Sequence, residues 1–229
     1  KRDKLGKIIR DKQGMMIKVP GTLKHTKAVG WYLEEFGLAQ VSMNLTNYNI
    51  TSLHNAFEEV RKEASKIGLR VTGSEVVGLL PLEPLLEAGK YYISKQNTSL
   101  SIPETQIIDI AIKSLGLLDI SDFNPKEKII DYILESDNKQ LVNLSVENFI
   151  DEVSSSSPAP GGGSVSALAG SLGAALMSMV ANLTYNKKGY EKHNQTISKI
   201  GVSSQQLKKD LLTLIDKDTQ AFEGIMDAF

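Results

Sequence analysis

Apolar and polar residues alternate in the first part of the chain, which predicts β-strands there. Short strands are expected over 7–19, on either side of a turn, followed by a hairpin whose second strand is 38–44. Every other residue of that second strand is polar, so one face is expected to be buried and the other exposed. A helix over 51–67, with Thr51 as its N-cap, precedes a further predicted strand over 69–80. The order strand, strand, helix, strand, helix predicts an α+β sandwich.

From about residue 81 onward, apolar residues recur every three or four positions, and this period predicts a succession of helices. The predicted helices cover 81–96, 104–117, 124–136 and 145–156. Asn124 followed by Pro125 is a strong helix-start signal. The short polar segment 136–143 lies between two of these helices, and we place a domain boundary there, with domains over 1–141 and 142–229.

The stretch 154–184 differs from an ordinary helix. A loop of Ser, Pro and Gly leads into a run of about twenty uncharged residues. Small residues at Ser166, Gly170, Ala174 and Ser178 lie four apart, which lets two helix backbones approach closely. The large apolar residues form a second stripe: Val165, Leu168, Leu172, Leu176, Met179 and Leu183. A membrane span is the alternative for such a run, but its Ser and Asn residues favour a buried helix of a soluble protein.

The glycine-rich lead-in also raises the possibility of an anion site, because free backbone N–H groups at a helix N-terminus bind anions. The stretch lacks the Gly-Lys-Ser/Thr ending of a P-loop, so a nucleotide site is not expected. A polar ligand at this turn and a simple tight corner both remain open.

Composition narrows the class of protein. Of 229 residues, 41% are apolar and 23% charged, as in globular proteins. The chain has no cysteine, which excludes disulfides and thiolate metal sites and fits a cytoplasmic location. Residues 1–27 carry nine Lys/Arg against two Asp, so this stretch either attracts an anionic ligand or is a solvated edge. It has no aromatic residue on which bases could stack, so nucleic acid is not expected. A first residue other than Met and a helical pattern still running at Phe229 predict that the chain is part of a longer protein.

One acidic residue interrupts an apolar seam near the end of the chain. The seam consists of Leu207, Leu211, Leu214, Phe222 and Ile225, and Asp218 lies four residues from both Leu214 and Phe222. Burial on an apolar face would raise the pKa of this carboxyl and suit it to general acid/base work. The alternatives are a structural Asp at a kink or one held in a salt bridge.

Several stretches resemble one enzyme family. SSSPAPGGGSVSALAGSLGAALMSMVANLTYNKK resembles the opening of the cyclodeaminase domain of the formimidoyltransferase-cyclodeaminases. GTLKHTKAVGWYLEEFGLAQVSMNLTNY, the helix after it and LRVTGSEVVGLLPLEPLLEAGKYY resemble the C-terminal half of glutamate formimidoyltransferase. NPKEKIIDYIL is similar to the family's connecting helix.

The resemblance implies a fold and an activity. It implies a ferredoxin-like α/β sandwich subdomain followed by a truncated, mostly α-helical bundle that forms dimers and larger rings. The implied enzyme transfers a formimino group from N-formimino-L-glutamate to tetrahydrofolate, which can carry a polyglutamate tail. It then cyclises 5-formiminotetrahydrofolate to 5,10-methenyltetrahydrofolate with release of ammonia, a step of histidine degradation. No metal is expected.

The resemblance also assigns site residues. It implies that folate contacts Gly21, Thr22, Leu23 and Lys24. The glycine-rich turn of the deaminase corresponds to Pro160, Gly161, Gly162, Gly163 and Ser164, and the family's Asp-x-Asp to Asp216 and Asp218. We assign proton transfer to Asp218, because ring closure needs a group that moves protons. The family's transferase histidine is matched by none of His25, His54 and His193, so this chain alone is expected to lack transferase activity.

Two other functions remain open at this point. One is a monofunctional cyclodeaminase whose upstream domain only binds folate. The other is a non-catalytic module for dimerisation or scaffolding.

Overall fold

The structure, a computed structural model, describes residues 3, 5–17, 20–35, 37–134 and 141–228. Two compact units make up the chain, residues 1–71 and residues 72–229. The fold is α+β, with a small two-stranded sheet in the first unit and a helical C-terminal region, as predicted. Of the proposed boundary segment, 136–140 lies outside the described residues, and the domain boundary stays a prediction.

The first unit contains the predicted hairpin and the helix after it. Strand β1 spans Thr26–Leu33 and strand β2 spans Leu38–Leu45, and they pair antiparallel from Thr26 opposite Leu45 to Leu33 opposite Leu38. Gly37 closes the turn with a φ of 62°, a conformation that favours glycine. Helix α1 spans Leu53–Lys66 and buries Ala56.

Three local predictions for this region are wrong. The strand over 69–80 does not form; residues 69–79 have no regular structure, and Leu80 makes a single parallel bridge to Ile129. Residues 7–17 form no continuous strand: they contain isolated bridge residues, namely Ile8 and the pair Arg10 and Met16, and residues 18 and 19 of the predicted segment lie outside the described residues. Thr51 is not the N-cap, because Ser52 holds that position. The Thr51 hydroxyl donates instead to the Lys24 carbonyl at 2.5 Å.

The burial expected for β2 is incomplete as well. Val41, on the face predicted to be buried, is 48% exposed, and Met43 and Leu45 are half-buried. A strand buries one face only when another layer covers the sheet. This two-stranded sheet has no such layer among the described residues of its unit.

Helices α2 to α8 make up the second unit. They span Leu82–Lys95 (α2), Glu104–Leu115 (α3), Pro125–Lys128 (α4), Ile130–Leu134 (α5), Val146–Val153 (α6), Gly162–Thr184 (α7) and Asn194–Met226 (α8). Short 3-10 turns occupy Leu141–Asn143 and Glu191–His193. The helix predicted over 124–136 is divided at Ile129, which is extended. The residues on either side of it bond to Leu80: the Leu80 N–H donates to the Lys128 carbonyl, and the Ile130 N–H donates to the Leu80 carbonyl. Asn124 caps α4 as predicted, accepting from the Lys126 N–H at 3.1 Å.

The α2–α3 pair forms the apolar core of its part of the unit. Leu85, Ile93, Ile108 and Ala111 are buried there to 2% exposure or less. The two backbones touch at Gly89, where an added Cβ would overlap the Ile107 carbonyl oxygen. Glycine is therefore required at this crossing.

The α7–α8 pair packs through small residues. The buried residues of α7 recur at alternating spacings of three and four: Ser164, Ala167, Ser171, Ala174, Ser178 and Ala181. The predicted small stripe is right at Ala174 and Ser178, which are buried, whereas Ser166 and Gly170 are exposed. A Cβ on Gly170 would still lie 3.2 Å from Leu211 Cδ1 of α8, so α8 approaches closely there as predicted. Large side chains such as Leu172, at 59% exposure, lie on the outside. By length and composition α7 could cross a membrane. Its most apolar stretch of 18 residues has a mean hydropathy of 1.6, and 33% of that stretch is buried in the structure.

The loop between α2 and α3 packs against the same helix pair. Ser101 in this loop is 2% exposed, and its carbonyl accepts from the Ser178 hydroxyl of α7 at 3.0 Å. The Gln205 side chain of α8 donates to the same hydroxyl at 2.8 Å. A Cβ on Gly201 of α8 would overlap Ser101 Oγ and lie 3.0 Å from the Ala181 Cβ. The loop therefore seals one end of the α7–α8 pair.

Candidate functional site

The N-terminus of α7 is capped by a side chain from another helix. Gly161, the N-cap residue, has no side chain to offer the free N–H groups of the first turn. Asp218 of α8 takes that role, because its Oδ2 accepts from the Ser164 N–H at 2.9 Å. The positive end of the helix dipole also stabilises a negative charge at this place. The glycine-rich turn and Asp218 thus meet in space, although 54 residues separate Ser164 from Asp218.

Ser164 holds the two helices together at this point. Its side chain is fully buried, and its Oγ donates to the Ile215 carbonyl at 2.7 Å. The same oxygen lies 3.3 Å from Asp218 Oδ2 and 3.3 Å from the Thr219 hydroxyl. Below it, Ile215 packs in an apolar cluster with Phe149 and Ala167.

The three glycines of the turn do not have the same surroundings. A Cβ on Gly161 or Gly162 would meet no atom within 4 Å. A Cβ on Gly163 would overlap the Asp218 carboxylate, whose Oδ1 would be the nearest atom and whose Oδ2 would lie at 2.5 Å. Only the third glycine is therefore required by the position of the carboxylate.

Asp218 is exposed to solvent, and so are its seam neighbours Leu214 and Phe222, at 47% and 36%. The predicted apolar surroundings of Asp218 are therefore absent in the described part of the chain. What the structure offers instead is one anchored carboxylate oxygen, Oδ2, while Oδ1 accepts no hydrogen bond from the described residues. That arrangement leaves one oxygen available to a ligand.

The two aspartates of the Asp-x-Asp pair have different partners. Asp216 is half-buried, and its Oδ1 accepts from the Leu141 N–H at 2.5 Å. It therefore fixes the 3-10 turn at Leu141–Asn143 against α8. Asp218, two residues on, faces the glycine-rich turn.

The predicted folate-contacting residues lie in the first unit. Thr22, Leu23 and Lys24 line an open groove of about 320 Å³, whereas Gly21 lies next to it without lining it. The remaining lining residues come from the turn before α1 and from α1 itself: Ile50, Thr51, Asn55 and Glu59. Hydroxyl, amide, ammonium and carboxylate groups thus surround the groove, as a polar ligand would require.

Glu59 supplies the negative charge of this groove. Lys62 Nζ donates to its Oε2 at 3.2 Å. This hydrogen bond, and next the nearby Thr22 side chain, hold the pKa of Glu59 below its usual value. The groove therefore combines a carboxylate that remains ionised near neutral pH with the cationic Lys24.

The histidines do not gather into a site. His25 has a φ of 51°, and its carbonyl accepts from the Thr46 backbone N–H and hydroxyl. His54 Nε2 lies 3.1 Å from Ser52 Oγ, and His193 ends a 3-10 turn. Within the described ranges, no three His, Asp or Glu side chains converge as metal ligands would.

The pairing of Ser164 with Asp218 is what sequence reasoning missed. Each partner was predicted as a site residue, but no local pattern connects residues so far apart. The one available signal was a helix start without a capping side chain, which requires a partner from elsewhere in the fold.

Comparison with known proteins covers both halves of the chain. A family model described as formiminotransferase domain matches residues 2–135, and one described as formiminotransferase-cyclodeaminase matches residues 145–229. The mouse formimidoyltransferase-cyclodeaminase is 40% identical over 211 residues, 91% of this chain and 39% of that protein. The Dictyostelium discoideum protein of the same name is 47% identical over 175 residues, 75% of this chain and 32% of that protein.

A relative with another name matches a shorter stretch. The methenyltetrahydrofolate cyclohydrolase of Methylorubrum extorquens is 40% identical over 87 residues, 38% of this chain and 42% of that protein. The chain thus spans about two fifths of the length of the mouse relative and about a third of the Dictyostelium one. The two family models together cover nearly all of its residues. The chain therefore belongs to the formimidoyltransferase-cyclodeaminase family.

Proposed function

We propose that the chain contributes to a bifunctional folate enzyme, with residues 1–141 in its transferase part and 142–229 in its cyclodeaminase part. The whole enzyme would transfer the formimino group of N-formimino-L-glutamate to N5 of tetrahydrofolate. It would then close the ring to 5,10-methenyltetrahydrofolate and release ammonia. The position of Asp218 at the glycine-rich turn is the observation that carries this proposal.

The chemistry of ring closure fits an accessible carboxylate. N10 attacks the formimino carbon, a C–N10 bond forms, the C–N bond to the departing nitrogen breaks, and a proton moves from N10 to that nitrogen. Asp218 would accept the N10 proton on Oδ1 and return it to the leaving ammonia. Its other oxygen is held by Ser164, which keeps the carboxylate in place during the transfer.

The groove in the first unit supports a role in folate binding. Its polar lining, Thr22 and Lys24 in particular, would meet the substrate of the transferase. The basic stretch 1–27 would attract a polyglutamate tail, because that tail is a polyanion. None of His25, His54 and His193 is proposed as the transferase base.

Several further expectations complete the proposal. The protein acts in the cytoplasm, self-associates into dimers and a larger ring, and binds neither nucleic acid nor a resident metal. The exposed apolar residues of α7, among them Leu172, Leu176 and Leu183, support self-association. In a soluble protein, other polypeptide segments or a second subunit would cover this face of α7.

The test uses the full-length product of the gene. 5-Formiminotetrahydrofolate alone, and N-formimino-L-glutamate with tetrahydrofolate, are supplied in separate assays that follow methenyltetrahydrofolate absorbance and ammonia. Turnover in both supports the bifunctional enzyme, and Asp218→Asn should lower the first reaction by at least about a hundredfold. Turnover with 5-formiminotetrahydrofolate alone indicates a monofunctional cyclodeaminase. A folded protein that is inactive in both assays would contradict the enzymatic proposal and favour a non-catalytic module for dimerisation or scaffolding.

A second candidate function is hydrolysis of methenyltetrahydrofolate, since the Methylorubrum extorquens relative is a methenyltetrahydrofolate cyclohydrolase. The same carboxylate would take a proton from the water whose oxygen bonds to the ring carbon, and it would return a proton to the ring nitrogen that is released when the C–N bond breaks. Loss of methenyltetrahydrofolate absorbance without ammonia, above the uncatalysed rate, would favour this activity.

A further inference from the structure

The glycine-rich turn contains one glycine whose absence of a side chain serves another residue. A Cβ at Gly163 would occupy the space of the Asp218 carboxylate, whereas a Cβ at Gly161 or Gly162 would enter open space. None of these three glycines has a positive φ. Conformational freedom therefore does not explain Gly163, and the close approach of Asp218 does.

The next residue fixes the carboxylate from a second direction. The Ser164 N–H donates to Asp218 Oδ2, and the buried Ser164 hydroxyl lies within 3.3 Å of the same oxygen. Both contacts reach Oδ2, so the carboxylate is anchored by one oxygen and Oδ1 stays without a partner among the described residues. An exposed Asp side chain with no such anchor would sample several rotamers.

We propose that Gly163 and Ser164 are positioning residues for Asp218: Gly163 admits the carboxylate to the helix N-terminus, and Ser164 holds Oδ2 so that Oδ1 meets the substrate. This inference rests on the proposed cyclodeaminase function. It separates the glycines by role, with Gly161 and Gly162 leaving the carboxylate unaffected. It also gives Ser164 a task that acts through Asp218 and not through contact with folate.

The test compares matched alanine substitutions in the full-length gene product. Gly163→Ala and Gly173→Ala add the same methyl group to two glycines of α7, and a Cβ on Gly173 would meet no atom within 4 Å. With 5-formiminotetrahydrofolate, Gly163→Ala should lower kcat at least tenfold and leave KM within twofold, because Oδ1 acts in the proton transfer and its displacement affects the transition state more than substrate binding. Gly173→Ala, which lies outside the glycine-rich turn, should stay within twofold of wild type in both constants.

A double variant distinguishes positioning from general damage. Gly163→Ala combined with Asp218→Asn should be no slower than Asp218→Asn alone, since Gly163 acts only through Asp218. The pH profile of kcat in Gly163→Ala should lose the limb that Asp218→Asn removes. If Gly163→Ala does not fold, Ser164→Ala replaces it, because it keeps the N–H donor and should lower kcat several-fold with KM unchanged.

The outcomes separate the two levels of the proposal. An active wild type in which Gly163→Ala has the same kcat as Gly173→Ala overturns the positioning role and leaves the proposed function standing. A double variant slower than Asp218→Asn by the full Gly163→Ala factor also overturns it. A folded wild type that releases no ammonia overturns the cyclodeaminase function itself, and the positioning role with it.

Discussion

Glycine permits close approach at both ends of the α7–α8 pair, but the group that it admits differs. At the start of α7, Gly163 admits the carboxylate of Asp218, which remains exposed to solvent. At the other end, Gly201 of α8 admits Ser101, which is buried at 2% exposure. The first contact leaves a reactive oxygen accessible, and the second closes a gap in the packing.

A glycine required by a close approach can serve either chemistry or packing, and the burial of its neighbour distinguishes these two roles. An exposed neighbour can move away when a methyl group is added, so folding tolerates the change and chemistry does not. A buried neighbour has no room to move, so the whole structure must adjust. The two ends therefore predict opposite phenotypes for the same Gly→Ala substitution.

The free energy of unfolding should change most at the buried end. Gly201→Ala should lower the free energy of unfolding by about 2–3 kcal/mol, because its Cβ overlaps Ser101 Oγ in a close-packed region. Urea unfolding of the variant measures this. Gly173→Ala is the matched control: it lies in α7 with no atom within 4 Å of its Cβ and should gain about 0.5–1 kcal/mol.

A second substitution tests whether the contact with Ser101 causes the loss of stability. Ser101 Oγ is buried without a partner among the described residues, so Ser101→Gly removes an obstacle and no hydrogen bond of the side chain. Combined with Gly201→Ala it should restore at least half of the lost stability. Additive losses in the double variant would show that the Ser101 contact is not the cause.

The hydrogen bonds at the buried end come next in size. Ser178→Ala should destabilise the protein by about 1–2 kcal/mol, since its hydroxyl donates to the Ser101 carbonyl and accepts from Gln205. Ser166→Ala, an exposed position of the same helix, should change stability by less than about 0.5 kcal/mol. Equal effects from the two serines would contradict the burial argument.

At the exposed end, stability should change less than at either buried contact. Asp218→Ala removes the cap of α7 and should cost about 1 kcal/mol, the usual effect of a lost N-cap. Thermal unfolding of this variant alongside Gly201→Ala checks the order. A larger loss from Asp218→Ala would mean that the carboxylate is chiefly structural.

The smallest change in stability is expected at Glu59, whose contact with Lys62 lies on the surface. The depressed pKa of Glu59 contributes stability that is present above its usual value of 4.5 and is lost as the pH falls below it. Glu59→Gln should therefore be slightly less stable than wild type at pH 7 and equal to it near pH 3. Urea unfolding at both pH values measures the difference, which should shrink in high salt. A difference that persists at pH 3 would show that charge is not its cause.

Elements determined by a local pattern could be predicted from the sequence, whereas contacts between residues far apart in the chain could not. The helices around Leu85 and Ile108 were predicted because a period of three to four is contained within each segment. The strand over 69–80 was wrong because a strand exists only if a neighbour pairs with it, and the partner of Leu80 is Ile129.

The candidate site shows the same division. The glycine-rich turn and Asp218 were each identified, yet their contact depends on how α8 returns along α7. Which face of α7 is buried also depends on α8. The small residues at 164, 167 and 171 are buried, whereas Ser166 and Gly170 of the predicted stripe are exposed. The buried face of α7 is therefore determined by how closely the two helix backbones can pack and not by the hydrophobicity of its side chains.

The Ser101 loop has a consequence for how the gene can be divided. The loop falls in the stretch matched by the formiminotransferase model, and the helices that enclose it fall in the stretch matched by the cyclodeaminase model. Two coding segments separated between these stretches would each yield a polypeptide with part of a shared interior on its surface. Co-expressed halves should therefore purify as a pair, and a cyclodeaminase produced without its upstream neighbour would need another residue to cover Ser178 and Gly201.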